Sequence, residues 1–268
     1  SDVYKRQDYN GEDTLSVSGT ANYDNVLISK NNSSDNFTGI NLQNAGYVSN
    51  LNAVQKVTVN ISDDSATRGY DGIYIYGGKL VAAGGVDITI NSTATESAVD
   101  VPWRVGLNVA YSAETNLGAS SRITIDTVHH DGYVNGIYAE DGTIKGNDLQ
   151  IAINQNAQNS QTQNTFGMYL QATSTLNVVL DGDLQIDTKS ANEAQGIYFK
   201  SENNHHGTIG AKNISINAVS IDGAANGIKS FQENNGYDAS ANSKIMTGDL
   251  LVKVNGCLLY TSPSPRDS

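Results

Sequence analysis

The sequence predicts an all-β fold: a right-handed parallel β-helix, or β-solenoid, of about seven coils of roughly 30 residues with three short strands per coil. Three observations predict it. Glycine followed by an aliphatic residue, and then mostly by Tyr or Asn, occurs at Gly39, Gly72, Gly106, Gly136, Gly167, Gly196 and Gly227, at spacings of 33, 34, 30, 31, 29 and 31 residues. Each unit also carries a segment in which apolar and polar residues alternate, the signature of a half-buried strand. Gly, Asn, Asp and Ser separate these pieces, and no stretch shows the i, i+3, i+4, i+7 spacing of an amphipathic helix.

The strand after each glycine reads GINLQ, GIYIY, GLNVA, GIYAE, GMYLQ, GIYFK and GIKSF in turn. Period two places Ile40, Ile73, Leu107, Ile137, Met168, Ile197 and Ile228 in one inward column, extended by Ile75, Val109, Leu170 and Phe199. The residue between points outward, as Asn41, Tyr74, Asn108, Tyr138, Tyr169, Tyr198 and Lys229. A shorter apolar piece follows, such as KLVAAG from Lys79 and GTIKGN from Gly142. The long alternating segments are VTVNI from Val57, VDITI from Val86, ITIDTV from Ile123, LQIAI from Leu149, LQIDT from Leu184, ISINAV from Ile214 and LLVKV from Leu250. A turn with Pro102 and Trp103 is expected to bulge from the rod, and the polar stretches 154–165 and 201–206 to be exposed turns. Stacked at roughly 4.8 Å per coil, seven coils make a rod roughly 35 Å long. A propeller needs about forty or more residues per blade, so the period is too short for one.

Both ends read as translated sequencing adapter. SDVYKRQ back-translates to a transposase mosaic-end element, and CLLYTSPSPRD to the inverted copy of that element plus an adapter tail. Residues 8–256 are then expected to be one β-helical domain from a longer chain, with 1–7 and 257–268 foreign to it. The two ends hold three of the 16 Lys+Arg and two of the 28 Asp+Glu, so residues 8–256 carry −13. They also hold the single cysteine, Cys257, and two of the three prolines. A Cys-free, acidic body rich in Asn (31 in the whole chain) and Gly (26) fits an exported protein and argues against nucleic acid as a partner.

Motifs of chemistry are sparse. The Asn-Thr-Asp, Gly-His-Gly and Arg-Ile-Lys motifs of galacturonan hydrolases are absent, as are P-loop, dinucleotide and nucleophile-elbow patterns. Asp63-Asp64, the one Asp-Asp pair, is expected in a solvated turn, and Arg68, Arg104 and Arg122 show no catalytic clustering with carboxylates along the sequence. The pairs His129-His130 and His205-His206 chelate poorly, because neighbours on a strand face opposite ways. No catalytic residue, metal or cofactor is therefore expected. The candidate site is an exposed ladder of Tyr74, Tyr138, Tyr169 and Tyr198, able to meet a sugar face or partner strand, or simply to pack coil on coil.

The G-I-Y/N units, Asn/Gly/Ser-rich turns, cysteine absence and acidity together resemble the passenger region of a bacterial autotransporter, or a related exported β-helical adhesin. The resemblance spans residues 8–256. It implies a structural or adhesive rod on a Gram-negative cell surface, without catalysis of its own, reaching the outer membrane through a C-terminal β-barrel not included here. The partners it implies are a host-surface protein, a glycan or a second copy. The alternative is a pectin-lyase-like polysaccharide lyase or glycoside hydrolase with catalytic residues gathered from adjacent coils.

Overall fold

No thirty-residue unit can enclose its own apolar side, but stacked neighbours can share one core. The computed structural model describes residues 7–43, 49–64, 68–93, 103–128, 132–156, 164–202, 207–233 and 243–256. It is such a stack, a parallel β-solenoid in which every described element is a strand. Residues 1–6 and 257–268, both histidine pairs, Pro102 and most of the polar stretches expected as turns lie outside the described residues.

Each coil has three faces. The first is built by Leu15–Ser16, Phe37–Gln43, Tyr70–Tyr76, Arg104–Ala110, Val134–Ala139, Asn164–Ala172, Glu193–Glu202 and Ala225–Glu233, paired in that order. All seven glycine units lie on it, preceded by the short strand Leu15–Ser16. The second face carries short strands such as Lys79–Ala82, Glu114–Asn116 and Gly142–Gly146. The third carries the long alternating segments, among them Val57–Asp63, Val86–Ser92, Ser120–Val128, Asp148–Asn156 and Asp183–Ser190. In Gly19–Asn31, Gly207–Ser220 and Lys244–Asn255 one continuous strand serves both the second and third faces.

The repeated glycine is a packing device. A Cβ on Gly72, Gly106, Gly136, Gly167 or Gly196 would lie 2.3–2.4 Å from the Cγ2 of Ile88, Ile123, Ile151, Ile186 or Ile216 across the core, and 2.5–2.6 Å from the carbonyl oxygen of the next glycine in the column. First and third faces thus approach until a column of bare α-carbons meets a column of isoleucines. Six predicted inward residues, Ile40, Ile73, Leu107, Ile137, Met168 and Ile197, are fully buried and in register. Burying each contributes about 1.5–3 kcal/mol. The seventh, Ile228, is 37% exposed. Its strand, Ala225–Glu233, is the last of the first face among the described residues, so Ile228 has a paired coil on one side only.

Candidate functional site

The outward column runs in register as expected, Asn41–Tyr74–Asn108–Tyr138–Tyr169–Tyr198–Lys229. Tyr138, Tyr169 and Tyr198 come together as a ladder, with centroids 5.3 and 5.1 Å apart. Tyr74 stands apart behind Asn108 and stacks instead on Tyr76 at 6.2 Å. The expectation of an exposed ladder is corrected: all four rings are half-buried. Phe166 packs against Tyr169 and Tyr198 at 5.0 and 5.4 Å, and the Lys229 ammonium sits 5.9 Å from the Tyr198 centroid. The Tyr138 hydroxyl lies 2.9 Å from Glu140 Oε1 and 3.2 Å from Gln171 Oε1.

A second outward column was hidden from period-two reasoning. Strict alternation puts the residue before each glycine on the core side, together with the aliphatic residue two positions later. Because the glycine itself faces the core, that residue emerges outside instead. Thr38, Asp71, Val105, Asn135, Phe166, Gln195 and Asn226 therefore stack as one column beside the tyrosines. A column so mixed in polarity is poor material for a core, and that was the available signal.

Between these columns and the strand entries lies a groove of about 320 Å³ that crosses three coils. Val105 and Asn135 come from the newly placed column, Asn108, Tyr138 and Tyr169 from the tyrosine column, and Trp103, Tyr133 and Gln171 complete it. None of these side chains is charged. Trp103 and Tyr133 are 44% and 52% exposed, whereas Asn135 is 6% exposed and its Oδ1 is enclosed without a protein partner. Phe166 takes the next place in the Val105–Asn135 column.

Next to the groove, Asp71 is buried and accepts hydrogen bonds from Trp103 Nε1 at 3.0 Å and Asn108 Nδ2 at 3.2 Å. Burial raises its pKa above the usual 3.8, while those two donors pull the other way. The Tyr74 phenol is raised by burial first and then by the Asp71 and Glu140 carboxylates.

Other chemistry sits elsewhere. Asp63 is not in a solvated turn. It is 2% exposed, accepts from the Tyr70 hydroxyl and lies 3.6 Å from Arg68 Nη1. Arg104, fully buried, holds its guanidinium carbon 4.4 Å from the Tyr70 ring centroid. Burial lowers the Arg104 pKa from its ordinary value to about 10, with Tyr70 and Asp63 opposing, so it stays charged at neutral pH. Asp63 heads a buried polar column, Asp63–Ser92–Thr127–Gln155–Ser190–Ser220, at the corner between third and first faces. Period two alone assigns these positions inward, so the polar corner was readable from the sequence.

On the outer third face, Arg122, Asp126, Asp187 and Lys189 share a shallow groove with Asn154 and Asn217. Asn217 Nδ2 and Gln185 Nε2 donate to Asp187 at 3.3 and 2.8 Å. Among the described residues no three His, Cys, Asp or Glu side chains converge to hold a metal ion. No protein-family model, curated protein or solved structure matches this chain.

Proposed function

We propose that the chain is the structural and adhesive rod of a protein displayed on a Gram-negative cell surface, of autotransporter type, without catalysis of its own. The observation that carries this is the groove over the first face: an outward, uncharged aromatic and amide surface on a stack whose repeated residues serve packing. A surface with exposed rings and fixed amides binds without bond chemistry, because nothing in its lining can transfer a proton near neutral pH. The acidity and cysteine-free body are consistent with export. The test is adherence: beads coated with the intact chain should retain on host epithelial cells above uncoated beads, and should release no reducing sugar from plant or microbial polysaccharides.

A second function rests on the third face. Arg122, Asp126, Asp187 and Lys189 are the carboxylates and bases that a polysaccharide lyase or glycoside hydrolase would need in one groove. Sugar release or unsaturated product that disappears in both Asp126→Asn and Asp187→Asn would overturn the adhesive function in its favour.

A further inference from the structure

We propose that the first-face groove bounded by Trp103, Tyr133, Tyr138 and Tyr169 binds a neutral oligosaccharide lying along the rod axis. The proposal rests on the adhesive function above and names the ligand class of that same surface.

The argument begins with the rings. Trp103 and Tyr133 immediately precede neighbouring first-face strands, joined where the Arg104 amide donates to the Tyr133 carbonyl at 2.9 Å, and both stay substantially exposed. Such rings offer apolar faces with polar tips, matching the C–H faces and equatorial hydroxyls of a pyranose. Trp103 is not loose: its indole N–H is tied to the buried Asp71 carboxylate, which also holds the Asn108 amide. The platform is therefore oriented before any ligand arrives, which lowers the ordering cost of binding.

Asn135 is the second, independent observation. It lines the groove, is more than nine-tenths buried, and its enclosed Oδ1 has no protein partner. A buried polar group held without a partner weakens the fold. An amide at the edge of a groove beside Asn108 and Gln171 suits a ligand dense in hydroxyl groups, since amides both donate and accept.

Charge selects among ligands. The groove lining is uncharged, Asp71 and Glu140 stand beside it, and the chain carries −12, so acidic glycans and nucleic acids are repelled. A peptide strand adding by backbone pairing finds no free edge, because the Arg104–Ala110 and Val134–Ala139 strands are paired on both sides. A neutral sugar chain needs neither charge nor edge.

Trp103 is the only tryptophan, so its emission reports on this site alone. The intact chain is titrated with cellohexaose, maltohexaose, chitotetraose and a β-1,4-galacto-oligosaccharide while Trp103 fluorescence is followed. At least one probe should give a saturable change. Tyr133→Ala and Asn135→Leu should weaken it tenfold or more with circular dichroism and thermal midpoint retained, and Tyr133→Phe should weaken it less than Tyr133→Ala. Should Asn135→Leu fail to fold, the Tyr133 pair decides alone. No saturable change with any probe, or a change indifferent to Tyr133→Ala, overturns the proposal. Bead adherence separates the two levels. Adherence that survives competition by all four sugars overturns the groove assignment but keeps the adhesive function. Sugar binding without adherence does the reverse.

Discussion

At the scale of single residues, the sharpest prediction concerns the glycine column. Gly136→Ala places a Cβ 2.3 Å from Ile151 Cγ2 and 2.6 Å from the Gly167 carbonyl oxygen. Overpacking of this kind costs about 1–3 kcal/mol or more, read as a lowered denaturant midpoint. Adding Ile151→Ala should restore little, because the carbonyl obstruction remains and a cavity opens; full rescue would show that the isoleucine alone required the glycine. The buried cluster gives a second case. Asp63→Asn leaves Arg104 and Arg68 without their carboxylate and should cost about 3–5 kcal/mol, whereas Arg104→Met, which removes an expensive buried charge, should cost less. Chemical denaturation of both variants checks the order. A third prediction follows from Asp71. Its folded pKa is raised, so its contribution to stability is full below 3.8 and is lost as pH rises through the raised value. Asp71→Asn removes that term. The stability difference between the two proteins should therefore change over that acid window and flatten above it, as urea unfolding across pH would show.

At the scale of elements, the strands were legible in the sequence because both of their periods were visible there. Alternation located the third-face strands, and the glycine spacing located the first-face strands to within a residue or two. The second outward column was not legible. It depends on which way the α-carbon of glycine faces, and that is settled by contact with Ile88, Ile123 and Ile151 from a different strand of the coil. The groove was missed for the same reason, since its parts, Trp103, Asn108, Tyr133, Asn135 and Gln171, are distributed over three coils. Of the groove residues, the sequence marks only Tyr138 and Tyr169 as candidate site residues, although it also places Asn108 outward and Trp103 in a protruding turn. The ladder itself makes a testable element: Tyr169 joins two neighbouring tyrosines, and ring pairs contribute about 0.5–1.5 kcal/mol each beyond area. Tyr169→Ala should therefore lower stability by about 1–3 kcal/mol and exceed the loss for Tyr74→Ala, which has no tyrosine above or below it in the column. Equal losses would remove the ladder as a stabilising unit.

At the scale of the whole molecule, the last strand among the described residues, Lys244–Asn255, pairs on one side only. In Lys244–Asn255, Leu250, Val252 and Val254 pair with Ile214, Ile216 and Ala218 and repeat their inward positions, yet are 49%, 39% and 54% exposed where their partners are buried. Uncovered strand edges pair with other chains. The 268-residue chain should accordingly associate with rising concentration in sedimentation velocity, and Val252→Lys should weaken that association. A monomer at all concentrations would contradict this.

Parallel strands that cross the rod leave its hydrogen bonds lying along the axis, and this has a mechanical consequence. A pull on the two ends strains those bonds in sequence from a terminal coil inward, so rungs open one after another. Each coil occupies roughly 4.8 Å of the folded rod, but its thirty or so residues release roughly 100 Å of extended chain. Loaded at its two ends, such a rod would act as a shock absorber, lengthening stepwise under load and shortening again as coils rewind on their neighbours.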